Sequence, residues 1–174
     1  MITAIILWPK ITPLQYNSLD AMANPVTLTA LSPREAIVDA LHRSILGVDT
    51  NDWDLLESGC LKSDMTFIAG EATIEGWTSV REFFTKIFNL VTTHYTSNIR
   101  IELQDGADTA SMTAHALAYH MRPEDAFKEE DTSYTVSCVY YMDLVKDSDD
   151  GLWKVKKWEI KNQWTTGDKA VIYG

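Results

Sequence analysis

From residue 33 onward the apolar positions fall into two regimes, and the first is helical. Ile37, Leu41, Ile45 and Val48 recur on one stripe, with Ala40 widening it, so this stretch is set to pack one face against a sheet. Just ahead, Ser32-Pro33-Arg34-Glu35 reads as a helix start: the serine can cap, proline suits the first helical position, and Glu35 closes a capping box. This helix is predicted to stop between Gly47 and Asn51. A shorter one begins at Asp52, whose carboxylate caps it and leaves Trp53, Leu55 and Leu56 to pack. Residues 61–69 alternate imperfectly and read as a strand, and Gly70 and Gly76 bracket a short segment at Glu71–Glu75. Thr78 is the expected cap of a third helix over 79–90, with Val80, Phe83, Phe84, Ile87 and Phe88 as its apolar positions. Aromatic and β-branched side chains are weak helix formers, so burial must hold that helix together.

The second regime has period two. Strands are predicted at 94–104 and 109–120 about an Asp105-Gly106 turn, then at 133–146 and 152–164 about Asp147–Gly151. Helices followed by a long antiparallel meander indicate an α+β domain with helices packed on a sheet. Residues 1–31 fit neither regime. Pro9, Pro13, Asn24 and Pro25 break them into an irregular N-terminal arm, which leaves 32–174 as the folded domain.

Strand 109–120 carries the most geometric information. Met112, Ala114, Ala116, Ala118 and His120 share one face, and Thr113, His115, Leu117 and Tyr119 the other. Three alanines leave room beside the sheet for either a cavity or a close-packed helix, and the row ends in a histidine.

Composition narrows the partners. At 174 residues, with 45% apolar and 23% charged positions, the chain has the size and make-up of one globular domain. A net charge of -10 disfavours nucleic-acid phosphates, and the best basic group, Lys154, Lys156 and Lys157, is embedded in an alternating strand. No nucleic-acid or membrane partner is expected. The opening MITAIILW is too short to span a bilayer and has no basic leader, so the expected location is the cytoplasm. Cys60 and Cys138 suit two buried thiols better than a disulfide framework or zinc ribbon.

Four histidines and a run of carboxylates hold the candidate chemistry. His42 lies mid-helix and His115 faces away from His120, so both read as structural. His94 lies at the start of a strand, where rigid elements can hold a reactive side chain. HALAYH sets its two histidines on opposite faces of a strand, and no compact metal-ligand motif is present, so no metal is expected. Asp52 suits a cap, whereas Asp49 leaves the first helix where the cavity mouth is expected. A carboxylate there can fix the tautomer of a histidine base. Nucleophile elbow, Walker loop and dinucleotide loop are all missing, which leaves acid–base chemistry without a cofactor.

Together, DTNDWDLL at 49–56, VTTHYTS at 91–97, TAHALAYHMR at 113–122 and GLWKVKKWEIKNQW at 151–164 resemble the SnoaL-like branch of the nuclear transport factor 2-like superfamily, and within it the scytalone dehydratase family. The similarity covers about residues 33–166. It implies a cone-shaped α+β barrel, with a strongly curved antiparallel sheet covered by N-terminal helices, and a homodimer. It also implies Asp49 and His94 as an oriented dyad, with His120 across the ligand. The family tyrosines fall at Val48 and Met65 and its pocket asparagine at Cys138, three departures from the family's pattern around the same dyad.

The expected function is that of a cofactor-free dehydratase or isomerase of secondary metabolism. It would act on a carbonyl- or hydroxyl-bearing, apolar polyketide or terpenoid-type molecule, a polycycle oriented by the apolar wall. One neutral histidine would accept a proton and a second, protonated one would donate. Asp49, His94 and His120 are the expected catalytic residues. Val48, Trp53, Met65, Ala116, Ala118, Cys138 and Trp158 are the expected substrate contacts. The same cone would also suit a cyclase or pericyclase, or a noncatalytic ligand-binding or interaction domain.

Overall fold

The computed structural model describes residues 24–128, 130 and 132–174; residues 1–23, most of the expected arm, lie outside the described residues. The capping box at Ser32 forms as the sequence requires. Ser32 Oγ accepts the Glu35 amide at 3.3 Å, and Glu35 Oε2 accepts the Ser32 amide at 2.7 Å. Helix α1 then runs Pro33–Asp49 and α2 runs Trp53–Gly59, with Asp52 capping the Leu55 amide. Helix α3, Trp77–Ile87, starts earlier than expected. Its cap is Gly76, at φ 81, and Thr78 falls inside the first turn. The turn into that helix needs a left-handed residue, which glycine adopts and threonine resists. The final turn α4, Ala170–Tyr173, was not foreseen.

The described residues hold six strands, β1 Thr66–Ala69, β2 Ala72–Glu75, β3 Val91–Leu103, β4 Thr109–Met121, β5 Tyr134–Lys146 and β6 Trp153–Gly167. The last four follow the period-two reading closely, whereas β1 is shorter than the strand expected over 61–69, because Lys62–Asp64 form a 3₁₀ turn. They form one sheet in the order β2-β1-β6-β5-β4-β3. Here the expectation of a closed cone fails. Strand β1 pairs parallel to β6, so the sheet is mixed, and β2 and β3 remain as two separate edges. The sheet is therefore open rather than a barrel or a strongly curved antiparallel layer. The four-residue β1–β2 hairpin extends the β6 side and does not reach round to β3.

The helices cover one face of this sheet. Ile37 and Leu41 of α1, Leu56 of α2, Val80 of α3, and Phe67 and Val155 from the sheet are all essentially inaccessible and belong to one core cluster. Each such side chain contributes about 1.5–3 kcal/mol through removal from water. Helices α1 and α2 meet at their backbones: a Cβ on Gly47 would lie 2.4 Å from the Leu56 nitrogen. Arg43 fastens the same corner from inside. Its guanidinium pairs with Asp39 at 2.8 Å, donates to the Ser58 carbonyl and Oγ, and reaches the Trp153 carbonyl at 2.8 Å. The opposite sheet face leaves Tyr95, Tyr119, Tyr141 and Trp164 exposed.

Two irregularities in β6 decide which side chains point inward. Pairing skips Lys156, so Val155 and Trp158, three positions apart, both reach the core. Pairing also skips Gln163, so Asn162 aligns with inward-facing Cys138 while Trp164 aligns with Ser137. A β-bulge of this kind re-aims the residues beyond it, and this one turns Trp164 away from the helices.

Candidate active site

Helix α1 ends at Asp49, directly over the edge strand β3. An edge strand has backbone amides without a strand neighbour, and the Asp49 carboxylate takes one of them, the His94 N–H, on Oδ2 at 2.8 Å. Oδ1 accepts the Thr92 hydroxyl at 2.7 Å and faces His94 Nδ1 at 2.6 Å. Burial pushes the Asp49 carboxyl up, but the hydrogen bonds and charge of His94, with Thr92, outweigh it and hold it below the usual range. An ionised carboxylate only accepts, so the His94 proton sits on Nδ1. When that imidazole is neutral its lone pair is on Nε2.

His120 stands on the neighbouring strand. Thr92 pairs with His120 and His94 with Ala118, so the two histidines are diagonal neighbours on one face. Their ring centroids are 5.6 Å apart and the planes nearly perpendicular. His120 Nδ1 lies 3.2 Å from the Tyr134 carbonyl, which fixes the hydrogen on Nδ1 and again leaves a lone pair on Nε2. Burial, reinforced by His94, lowers its pKa to about 4. At neutral pH His120 is therefore a neutral acceptor, because its seat strips water from the ring and supplies no carboxylate of its own. Of the expected acceptor and donor, which the sequence did not assign to particular histidines, it is not the protonated donor.

Both imidazoles line a cavity of about 150 Å³ between α1, α3 and the sheet. A cavity of that order has room for a benzene-sized molecule, so a single ring fits between the imidazoles and the apolar wall. Of the expected contacts, Val48, Ala118, Cys138 and Trp158 are in the lining. Trp53, Met65 and Ala116 are not. Trp53 stacks on Phe88 at 4.0 Å beneath the Arg81 guanidinium, and Met65 and Ala116 are sealed in the core. Of the three alanines, Ala114 and Ala116 meet core side chains, and only Ala118 borders open space. His42 is exposed on α1, and His115 faces outward, with Nδ1 2.8 Å from Asn98 Nδ2.

Sequence reasoning missed several parts of the wall. Tyr140 stands inward beside Cys138; burial raises its hydroxyl well above the ordinary range, and burial likewise lifts the Cys138 thiol to about 11. Asn162 reaches the mouth opposite Cys138, so a carboxamide is present, but on β6. Ile172 and Tyr173 of α4 close the same side, where Tyr173 meets Tyr134 edge to face. Alternation from inward-facing Trp158 through Ile160 already carries Asn162 to the inner face, so this signal was present in the sequence; the skip at Gln163 re-aims only the residues beyond it. Among the described residues, no three His, Cys, Asp or Glu side chains converge as metal ligands. No described helix is long and apolar enough to cross a membrane.

The SnoaL-like domain model matches residues 29–159, well over half of the chain. The chain belongs to the SnoaL-like family. A relative in Penicillium crustosum, terrestric acid biosynthesis cluster protein E, is 35% identical over 154 residues, which cover 87% of this chain and 97% of that one. Among solved structures, a candidate scytalone dehydratase from Novosphingobium aromaticivorans superposes with a TM-score of 0.66 at 23% identity, covering 78% of this chain and 87% of that one. A type 2 hexachlorocyclohexane dehydrochlorinase gives 0.63 at 23% identity, over 76% and 86% of the two chains. These structures share the fold of this SnoaL-like chain, whereas its site stands on its own geometry.

Proposed function

We propose that this SnoaL-like protein is a cofactor-free enzyme of natural-product biosynthesis that removes a proton next to a carbonyl, and so acts as a dehydratase or isomerase. The observation that carries this reading is the Asp49–His94 pair opening onto a small, mostly apolar cavity. His94 Nε2 takes the proton, and the new imidazolium is stabilised by the ionised Asp49. The electron pair of the broken C–H bond moves into an enolate. For dehydration, the β-hydroxyl then departs with the proton that His94 has just gained, which yields water and a conjugated alkene. For isomerisation, His94 returns that proton to a different carbon. His120, with a lone pair on Nε2, accepts a hydrogen bond from a substrate hydroxyl and orients it. The relative in a biosynthesis cluster supports the natural-product setting.

The test follows ring-sized ketones and β-hydroxyketones by NMR in D₂O with the wild type and with His94→Ala and Asp49→Asn. The wild type should exchange the α-hydrogen, and loss of water or a shifted alkene separates the two outcomes. His94→Ala should lower the rate by at least about a hundredfold, the usual worth of a positioned base, and Asp49→Asn by about ten- to a hundredfold. Undiminished exchange in folded His94→Ala would refute the assignment.

A further inference from the structure

Trp158 lines the cavity, and its indole nitrogen, set just behind the accessible wall, is a polar atom that the reaction above does not use. Among the described residues, Trp158 Nε1 is the fully buried side-chain nitrogen or oxygen that lacks any hydrogen-bond partner. Trp158 is 3% exposed and forms part of the cavity lining. The rings around it supply little in exchange. Tyr140 and Phe67 stand nearly perpendicular to the indole, at 5.1 and 5.8 Å between centroids, and offer only weak π acceptance. A buried donor left in this state carries its desolvation cost without return, and native interiors rarely tolerate one. With no partner inside the protein, this N–H calls for an acceptor from outside it.

The rest of the lining defines what that acceptor belongs to. It contains no lysine or arginine, so nothing there balances a carboxylate or phosphate, and Asp49 stands close behind His94. Both histidines present lone pairs once their Nδ1 hydrogens are committed. A ligand oxygen that brings no hydrogen finds no donor at the imidazoles. The indole on β6 supplies one.

We propose that the Trp158 indole N–H recognises the carbonyl oxygen of a neutral, single-ring substrate, with the ring tilting slightly toward the bound oxygen. This inference rests on the proton-transfer reading for the identity of the oxygen. It makes Trp158 the residue that polarises the carbonyl while His94 removes the neighbouring proton. A hydrogen bond that strengthens as the enolate forms lowers the barrier as well as aiding binding.

The probes are cyclohexanone and its hydrocarbon isostere methylenecyclohexane, titrated into wild type and Trp158→Phe by ¹H–¹⁵N NMR. The Trp158 indole resonance is assigned by its loss in the variant. Cyclohexanone should move that resonance downfield in the wild type, and methylenecyclohexane should not. The preference for ketone over hydrocarbon should fall about three- to tenfold in Trp158→Phe, the worth of one neutral hydrogen bond, and the hydrocarbon affinity measured on each protein takes out the effect of the smaller ring on the cavity. An unchanged preference, or an indole signal that stays still while cavity resonances respond to the ketone, would overturn the proposal. Should Trp158→Phe fail to fold, the indole resonance is assigned in the wild type through its through-space contacts with the Tyr140 and Phe67 rings, and its shift then decides. These are binding measurements, so they can fail while His94→Ala still abolishes exchange, and the converse also holds.

Discussion

Acidification should expose the cost of seating His120. In an unfolded chain this imidazole titrates near its ordinary value of 6.5, and in the fold burial and the adjacent His94 ring lower it to about 4, against a smaller opposing pull from the Tyr134 carbonyl and Asp49. Between those two values the unfolded chain binds a proton that the folded chain refuses. Stability is therefore lost as pH falls from about 6.5 and levels off below about 4. Linkage over that interval gives a loss of about 2 kcal/mol by pH 5 and about 3 kcal/mol by pH 4. Asp49, whose carboxyl is lowered in the fold, loses its own contribution only below the carboxylate range, in the same direction. Urea unfolding of wild type and His120→Gln at pH 7.5, 6 and 5 isolates the histidine, because glutamine can still donate to the Tyr134 carbonyl and does not titrate. The wild type should lose about 2 kcal/mol more than the variant between pH 7.5 and 5. Parallel pH profiles would show that His120 is protonated in place and that its reading as a neutral acceptor is wrong.

Two further outcomes follow from buried groups. Arg43→Met should destabilise the fold by about 3–5 kcal/mol in urea titrations, since it strands Asp39 and the Ser58 and Trp153 carbonyls around one removed cation; a loss below about 1 kcal/mol would contradict that role. Burial raises Cys60 to about 12 and Cys138 to about 11. Both thiols should therefore resist a thiol reagent at pH 8 in native protein and react readily in denaturant.

Much of this architecture was legible in the chain because its signals are local. The Ser32 capping box, the Asp52 cap and the two faces of β4 need only neighbouring residues to specify them, and all three formed as read. Sheet closure is not local. The parallel seating of β1 on β6 joins segments about ninety residues apart, and no periodicity records it. The site divides in the same way. Asp49, His94 and His120 stood out by residue type, and the structure brings them together around one cavity. Trp53 and Met65 were placed by motif position alone, and packing took them elsewhere. Asn162 was legible, since alternation from Trp158 through Ile160 carries it to the inner face, whereas Tyr173 became visible only through a terminal turn.

The carboxylate behind His94 is the last residue of a helix, while the imidazole belongs to the sheet. The aim of the base is thus set by how firmly two layers are joined, and Arg43, six residues upstream of Asp49, is one of the joints. Substitutions well away from the ligand can loosen that joint by a fraction of an ångström. They would detune proton transfer in a protein that still melts cooperatively, so a drop in turnover would give the earliest warning of weakened helix docking.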